Sequence, residues 1–456
     1  MAAHMNPDVN LPKFQALSLE DQPKSQSSSP GLNGTKSPSP EPTMSNIVIL
    51  GAGIIGVSTA YYLSESGRTP PSSIHIVEPS PELFASASGY AGGFLARDWF
   101  APSTVSLGRL SFDLHQSLAH KHNGRQRWGF SPSTGSSLAH EGWEIGAAKG
   151  EDWLKEGNSR AQAAEKMDVD VDTEGPTWLT RRNGARVEVI SEGNVTAQCD
   201  PLKLSQFLLD ECLKRGVQLH QPAEAISVSK DSQGELSSVR IADASAKTET
   251  DLPCHRVIIT AGAWTHKAFA KLFPTATIKI PVSQLAGYSI IVKSPRWKEE
   301  DEQKGCHAVF ATASLGFSPE LLSRLGGEIY VAGLNSATIP LPNLPTETVI
   351  DPEMIEQLRT TSARLLAIPG VPNDLEILKE GLCFRPVTPN GRPLLTRVPD
   401  SRLGDISTRG GGEGGVFVCA GHGPWGISLS LGSGKVLAEM VEGLPTTSAN
   451  VRALAL

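Results

Sequence analysis

The chain has 456 residues, of which 20% are charged and 39% are hydrophobic, and its formal net charge is −7. This length is enough for two substantial domains, and the composition is that of a globular protein. The negative charge argues against nucleic-acid binding, and no apolar run approaches the ~20 residues that cross a bilayer. We therefore expect no nucleic-acid partner and no transmembrane segment.

Residues 1–44 contain serine- and proline-rich stretches, such as KSPSPEP at 36–42. Such a composition cannot bury a core, so it predicts a disordered N-terminal tail. The tail lacks the patterns of a secretory signal or a transit peptide. Six cysteines are scattered without a Cys-x-x-Cys pair, which predicts neither a metal site nor a disulfide framework. These absences favour a cytoplasmic protein.

The first predicted strand, residues 47–50, leads directly into a Gly-x-Gly-x-x-Gly turn and then into a predicted helix. In this motif Gly51 makes the tight turn, Gly53 lets the backbone approach a pyrophosphate, and Gly56 allows close packing of helix on strand. Glu78 follows the next predicted strand, 22 residues beyond Gly56. An acid there can accept both hydroxyl groups of an adenosine ribose. The segment therefore predicts a dinucleotide site.

The nucleotide-binding pattern returns in the middle of the chain. Residues 202–216 have helical spacing, with Gly216 as the expected C-cap, and a short strand is predicted at 217–220. A polar hairpin is predicted around 231–235, and a buried strand at 256–260. This order adds further α-to-β steps to the same sheet.

From about residue 275 the pattern changes to alternating, sheet-like segments at 287–292 and 327–333, and a strand at 415–421 precedes a predicted helix at 434–441. The predicted fold class is α/β, with a discontinuous Rossmann-like domain and an inserted antiparallel-sheet α+β domain. The expected boundaries are 45–100, 196–274 and 405–445 for the nucleotide-binding domain, and 101–195 and 275–404 for the substrate or cap domain.

Four motifs occur together in one order along the chain. They are the glycine turn with Glu78, the serine- and glycine-rich segment at 86–96, the segment ITAGAWT at 259–265, and the pair formed by GLCFRPVTPNGRP at 381–393 with GHGPWGIS at 421–428. Together they resemble the FAD-dependent oxidoreductases of the D-amino-acid oxidase superfamily, which includes glycine oxidase, sarcosine oxidase and D-amino-acid dehydrogenase. The likeness is to a fungal subgroup.

The resemblance implies FAD as the cofactor. No His–Asp or Tyr–Lys spacing typical of a nicotinamide dehydrogenase stands out in the second predicted domain, which agrees with a flavin. The resemblance implies these cofactor-binding residues: Gly51, Gly53, Ile54, Ile55, Gly56, Glu78, Ser86, Ser88, Gly92, Gly93, Phe94, Leu95, Ala225, Ala261, Gly262, Trp264, Cys383, Gly421, Gly423, Trp425, Gly426 and Ile427.

Arg385 is the main candidate for the catalytic site. It matches the arginine with which glycine and D-amino-acid oxidases hold the substrate carboxylate, and a planar guanidinium can grip a carboxylate with two hydrogen bonds. The alternative is a surface or ion-paired arginine. Tyr288 and Tyr330 lie on predicted strands of the second domain and are candidate hydrogen-bond donors to substrate, although an aromatic residue on a strand often only packs.

Cys383 and Arg385 are two residues apart, so a strand would place both on one face. Cys383 also precedes Thr388 by five residues, the spacing at which sarcosine oxidase bonds its flavin. The loop containing His422 instead resembles that of glycine oxidase, and His422 is interpreted first as support for this loop. The alternative for Cys383 is a small buried thiol, so covalent and noncovalent FAD both stay open.

The resemblance predicts oxidation of the C–N bond of an amine or amino acid to an imine by hydride transfer to the flavin. Oxygen is the expected electron acceptor, giving hydrogen peroxide. Because the oxygen-activating lysine of sarcosine oxidases has no clear counterpart, a dehydrogenase that uses a quinone or protein acceptor is the alternative. A flavin-binding interaction protein with vestigial catalysis is a third hypothesis. Substrate choice depends on loops around 101–140 and 305–345, and the oligomeric state stays open.

Overall fold

The computed structural model describes residues 46–140, 160–164, 172–181, 184–311, 317–371 and 374–456. The predicted disordered tail lies outside the described residues. The helices are α1 (Ile54–Glu65), α2 (Ala87–Tyr90), α3 (Val105–Lys121), α4 (Gly124–Trp128), α5 (Pro201–Arg215), α6 (Thr265–Leu272), α7 (Glu299–Gln303), α8 (Pro352–Leu366) and α9 (Gly426–Val441).

The strands form two sheets. They are β1 (Asn46–Leu50), β2 (Ile74–Val77), β3 (Phe94–Ala96), β4 (Ser131–His140), β5 (Ala185–Ser191), β6 (Thr196–Gln198), β7 (Gln218–His220), β8 (Ala223–Lys230), β9 (Leu236–Asp243), β10 (Thr248–Ile259), β11 (Ser283–Lys293), β12 (Cys306–Ala311), β13 (Glu320–Ser323), β14 (Glu328–Ser336), β15 (Glu376–Val387), β16 (Leu394–Arg397) and β17 (Gly415–Ala420).

The first sheet has the strand order β16-β17-β10-β1-β2-β7, and its central pairs are parallel. Strand β1 is buried on both faces, as expected for a parallel sheet covered on both sides. Ile47 and Ile49 face a core shared with α1, α5 and α9, whereas Val48 and Leu50 face a second core shared with α6 and the β8–β9 hairpin. This arrangement confirms the predicted Rossmann-like architecture.

Strand β10 belongs to two ladders. Residues 248–253 pair antiparallel with β9, and the following residues pair parallel with β1 and β17. The predicted hairpin between β8 and β9 is present, and Asp231 N donates to the carbonyl of Glu235 at 2.9 Å. The predicted helix is also present as α5, and Gly216 caps it in the left-handed region with φ of 104°.

The second sheet has the order β15-β11-β14-β13-β12-β4-β6-β3, with β5 paired to β4. Its described pairs are antiparallel except for β12 with β4. Helix α8 packs on one face of β11 and β14. The opposite face of this sheet carries Tyr330 on β14 and Arg385 on β15. An antiparallel-rich second sheet was predicted, and the structure confirms it.

The structure differs from the predicted boundaries in three places. Strands β3 and β6 lie in segments expected in the nucleotide-binding domain, but they pair with each other and β6 joins β4 in the second sheet. Strand β16 lies in a segment expected in the second domain, but it pairs with β17 in the first. Helix α9 begins at Gly426, eight residues before its predicted start. In the part of the chain that the structure describes, no helix is long and apolar enough to cross a membrane.

Candidate active site

A cavity of about 600 Å³ runs between the two sheets, and residues of both line it. One end is formed by Gly51 and Glu78 of the first sheet, and the other by Tyr330 and Arg385 of the second. Its volume lies in the range of cofactor pockets. The carboxyl ends of β1 and β2 open into it, which is where ligands bind in open parallel sheets.

The glycine turn follows the geometry that its sequence predicts. Gly51 has φ of 101°, and its N–H donates to the carbonyl of Val77 at 2.9 Å. A Cβ at Gly51 would lie 2.8 Å from the carbonyl oxygen of Thr260, and one at Gly56 would lie 2.8 Å from the Thr260 hydroxyl and collide with the carbonyl of Gly51. Side chains at these two positions would therefore push α1 away from the sheet.

Glu78 is fixed at the end of β2 by two backbone donors. Its Oε2 accepts from Ala52 N at 2.9 Å, and its Oε1 accepts from Ser80 N at 2.9 Å. Burial raises the pKa of this carboxyl, and the two N–H groups oppose that increase. Because each carboxylate oxygen has further lone pairs, Glu78 can accept hydroxyl donors from a ligand in the cavity that it lines.

Two serines tie the predicted cofactor segment to its surroundings. The hydroxyl of Ser88 accepts from Ile54 N, in the first turn of α1, at 2.9 Å. The hydroxyl of Ser86 accepts from Phe384 N on β15 at 3.3 Å. The segment therefore bridges the helix N-terminus of the first sheet and an edge strand of the second.

Backbone approaches the cavity closely at the two glycines that follow. Gly93 has φ of 92°, and its carbonyl accepts from Cys199 N at 3.0 Å. A Cβ at Gly92 would lie 2.9 Å from Cε1 of Tyr330. Both positions therefore require glycine, and they leave main chain, rather than side chain, along this wall of the cavity.

The guanidinium of Arg385 lies inside the cavity and is held from two sides. Its Nη1 donates to Oδ1 of Asn335 on β14 at 2.7 Å. It crosses Gly287 of β11, where a Cβ would lie 2.6 Å from Cζ of Arg385. Burial lowers the pKa of Arg385, but Cys383 and Tyr330 are among the neighbours that raise it, and the net result is an increase. The group is therefore a fixed cation.

Cys383 and Tyr330 stand beside this cation. Cys383 and Arg385 both line the cavity, as their spacing on one strand predicts. Burial raises the pKa of the Cys383 thiol, although Arg385 and Lys379 oppose the increase. Burial also raises the pKa of Tyr330 to about 12, so its hydroxyl is a neutral donor.

The N-terminus of α9 forms another part of the wall. Gly423, Gly426 and Ile427 line the cavity there. His422 accepts from or donates to the Ser433 hydroxyl through Nε2 at 3.0 Å, which supports the loop as expected, and burial lowers its pKa to about 4. Its Nδ1 is buried without a hydrogen-bond partner in the described part of the chain. Because His422 lines the cavity, a ligand can supply that partner.

Most of the predicted site residues come together in this cavity. The residues that line it are Gly51, Gly53, Ile54, Ile55, Glu78, Ser86, Ser88, Gly92, Gly93, Phe94, Ala225, Ala261, Gly262, Trp264, Tyr330, Cys383, Arg385, Gly423, Gly426 and Ile427. Gly56, Leu95, Gly421, Trp425 and Tyr288 do not line it. Gly56 still shapes the site by allowing α1 to pack against the turn.

For two of the residues that do not line the cavity, the structure corrects the predicted position. Tyr288 is 4% exposed and packs in the core beneath α8, because β11 turns the side chain after Gly287 to the opposite face. It therefore cannot donate to a substrate in this cavity. Trp425 is 7% exposed and packs against Phe94 and Phe100, with ring centroids 6.5 and 4.9 Å away. It supports the wall from behind.

The sequence did not indicate three residues that the structure brings to the site. Asn335 holds Arg385, while Arg160 and Glu320 line the cavity and form a buried ion pair. Arg160 lies in a polar stretch with no motif, and Glu320 is 160 residues away from it in sequence. No local signal connects residues at such a separation.

The residues present fit FAD at three points. The turn after β1 offers a glycine cradle, Glu78 offers carboxylate oxygens at the ribose position, and His422 offers a buried nitrogen without a partner. A glycine cradle with a carboxylate at the ribose position defines a dinucleotide-binding protein. The family model of FAD dependent oxidoreductases, DAO, matches residues 46–440, and the chain belongs to this family.

The chain is similar over most of its length to a curated protein and, in fold, to solved structures. The chain is 26% identical to the Schizosaccharomyces pombe protein C1F5.03c over 429 residues, covering 89% of this chain and 96% of that protein. Its fold is similar to glycine oxidase from Geobacillus kaustophilus, with TM-score 0.66, 20% identity, and coverage of 90% and 98%. It is also similar to L-proline dehydrogenase from P. horikoshii, with TM-score 0.64, 16% identity, and coverage of 91% and 97%.

Proposed function

We propose that this FAD-dependent oxidoreductase oxidises the C–N bond of an amino acid, or of an amine that carries a carboxylate, to an imine. The observation that carries the proposal is Arg385, a charged guanidinium fixed by Asn335 inside the cavity. The names of glycine oxidase and L-proline dehydrogenase, which share the fold, describe action on amino acids. Bound FAD would supply the hydride acceptor.

The chain's own residues would then bind, orient and shield the substrate. Arg385 would hold the carboxylate with two hydrogen bonds, which fixes the position of the α-carbon. The hydroxyl of Tyr330, neutral because burial raises its pKa, would donate a further hydrogen bond. The N-terminus of α9, which lines the cavity at Gly426, favours negative charge on a bound cofactor. Hydride can leave the α-carbon only when the amine nitrogen is neutral, so a substrate that binds as the ammonium must first lose one proton.

The test is anaerobic addition of amino acids and amines to the purified holoenzyme while the visible flavin spectrum is recorded. We expect a substrate to bleach the flavin, and air to restore the colour with release of hydrogen peroxide. Arg385→Met should raise the concentration needed for bleaching by at least tenfold, because one charged anchor is lost. Absence of bleaching over the whole panel would contradict the proposal and favour a flavin-binding protein with vestigial catalysis.

A second candidate is a dehydrogenase with a quinone or protein acceptor. Among the described residues, the lysines that line the cavity are Lys267 and Lys271 of α6. Lys267 donates to the carbonyl of Leu341 at 3.4 Å, and Lys271 pairs with Glu224 at 2.6 Å. Both lysines are thus engaged by partners other than Arg385. Reduced enzyme that stays reduced in air but is reoxidised by an added quinone would identify the dehydrogenase.

A further inference from the structure

The substrate end of the cavity contains a second pair of charges besides Arg385. Arg160 donates through Nε and Nη2 to the two carboxylate oxygens of Glu320, at 2.8 and 3.1 Å. Its Nη1 donates to the carbonyl of Pro424 at 3.4 Å, and its guanidinium lies 4.7 Å from the ring centroid of Trp425. Arg160 and Glu320 are 6% and 9% exposed, yet both line the cavity.

The sheet register places Glu320 close to Arg385. Glu320 on β13 pairs with Ala332 on β14, while the guanidinium of Arg385 reaches over β11 to Asn335 on the same β14. Glu320 therefore lies on the second strand from β11, where the Arg385 guanidinium crosses, and both residues line the same cavity. Glu320 is also among the neighbours that raise the pKa of Arg385 and of Tyr330.

A buried ion pair needs an explanation other than stability. Removing two charges from water costs about as much as their attraction returns, and well-packed apolar residues often do as well. Phe94 and Phe310 surround the pair, with ring centroids 6.0 and 5.9 Å from Cζ of Arg160. If this position were only part of the hydrophobic core, a pair of apolar side chains would therefore suit it. A carboxylate that lines the cavity is instead available to a ligand group.

We propose that Glu320 binds the ammonium group of the substrate, so that Arg385 and Glu320 together select a zwitterionic α-amino acid. This inference rests on the proposed function. An α-amino acid carries its carboxylate and its ammonium on one carbon, so a single small molecule presents an anion to Arg385 and a cation to Glu320. Both anchors line the same cavity.

The bound state is a line of alternating charges: Arg385, substrate carboxylate, substrate ammonium, Glu320 and Arg160. Each charge has an opposite neighbour, so none is left buried alone. Arg160 holds the Glu320 carboxylate with two hydrogen bonds and leaves its other lone pairs for the substrate. Arg160 is thus a positioning residue. An amine without a carboxylate, or a carboxylate without an amine, would satisfy only one anchor.

The experiment compares amino acids with analogues that lack the amine. Three kinds of pair are titrated anaerobically into the holoenzyme: glycine and acetate, either enantiomer of alanine and propionate, and either enantiomer of proline and cyclopentanecarboxylate. The half-saturating concentration of each compound is read from the flavin spectrum. We expect Glu320→Gln to weaken the binding of at least one amino acid by tenfold or more, and the binding of its analogue by no more than about threefold. Arg385→Met should weaken the binding of both members of that pair.

Glu328→Gln on β14 is the matched control, since Glu328 lies outside the cavity lining, and it should change neither value. If Glu320→Gln does not retain FAD, the double variant Arg160→Gln/Glu320→Gln removes both charges and should show the same selective loss. Equal weakening of amino acid and analogue, with normal binding to the unmodified enzyme, would show a structural pair and overturn the inference alone. Failure of every amino acid to bind the unmodified enzyme would overturn the proposed function, and the inference with it.

Discussion

The guanidinium of Arg385 occupies the space that a side chain at Gly287 would fill. A Cβ built at Gly287 lies 2.6 Å from Cζ and 2.8 Å from Nη2 of Arg385. Gly287 pairs with Cys383 on β15 and with Asn335 on β14, so the glycine lies between the strand that carries the arginine and the one that holds it. The position of the Arg385 cation in the cavity therefore depends on the absence of a side chain at Gly287.

We predict that Gly287→Ala displaces Arg385 and raises the KM for a carboxylate substrate by at least about tenfold. The added methyl group cannot share its position with the guanidinium, and the rigid strands on either side limit relaxation. Steady-state kinetics with an identified substrate would measure the change, while the flavin spectrum checks that FAD is retained. Gly410→Ala is the control, since it is exposed and a Cβ there meets nothing within 4 Å. An unchanged KM for Gly287→Ala would contradict the prediction.

Glu78→Gln should weaken FAD binding. Both oxygens of Glu78 accept backbone N–H groups, so an amide would place its NH₂ opposite Ala52 N or Ser80 N. Losing a charge-assisted hydrogen bond costs about 1.5–3 kcal/mol, which corresponds to roughly a 10- to 100-fold rise in Kd. Titration of the apoprotein with FAD, followed by quenching of flavin fluorescence, would measure it. Glu249→Gln, at an exposed position on β10, should leave the Kd unchanged.

We expect FAD to be held noncovalently. A thiolate is the species that would attack the flavin, and burial raises the pKa of Cys383. The thiol form therefore dominates at neutral pH. After acid precipitation of the holoenzyme, flavin should be found in the supernatant, both for the unmodified protein and for Cys383→Ser. Flavin in the pellet of the unmodified protein, released by Cys383→Ser, would establish a covalent bond instead.

Stability should decrease as the pH falls from about 6.5 towards 4. Burial lowers the pKa of His115 and of His422 to about 4, below the value of about 6.5 in an unfolded chain. In this range the unfolded state binds protons that the folded state excludes. Each histidine therefore lowers the free energy of unfolding by about 1.4 kcal/mol for each pH unit of acidification. Above pH 6.5 this contribution is constant.

Thermal unfolding of the holoenzyme across pH 4–8 would measure this dependence as a falling Tm on the acid side. His422→Gln should reduce the slope, because one of the two buried groups no longer titrates. His120→Gln, at an exposed position of α3, should leave the slope as it is. A Tm that stays level down to pH 4 would show that these histidines take up protons in the folded state.

Local patterns were sufficient for the elements around the nucleotide. The strand, turn and helix at residues 46–65 follow from a short apolar run and three glycines, and α5 ends at Gly216 because only a left-handed residue closes it there. Helix α9 was harder to predict. Its first half is rich in glycine and serine, which are weak helix formers. Tertiary packing, and not local propensity, therefore stabilises this part of the helix. A Cβ at Gly434 would lie 2.6 Å from the backbone of Ser58 in α1.

Strand periodicity predicted that Cys383 and Arg385 share a face, and both line the cavity. It could not tell which face of the neighbouring strand meets that cavity, so Tyr288 was placed in the site although it lies in the core under α8. The same limit applies to Arg160, Glu320 and Asn335. Each acts through a partner at least 50 residues away, and chain-local patterns contain no information about such contacts.

The sequence by itself determined that the protein carries a dinucleotide-binding unit, that it resembles FAD-dependent oxidoreductases, and that Arg385 is a candidate anchor. These features depend on glycines, spacing and strand alternation, which act over a few residues. The tertiary structure alone decided that Gly287 makes room for Arg385, that Asn335 holds it, and that Arg160 and Glu320 face the same cavity. Those relationships depend on the register of strands β11, β13, β14 and β15, which is fixed only when distant segments pack together.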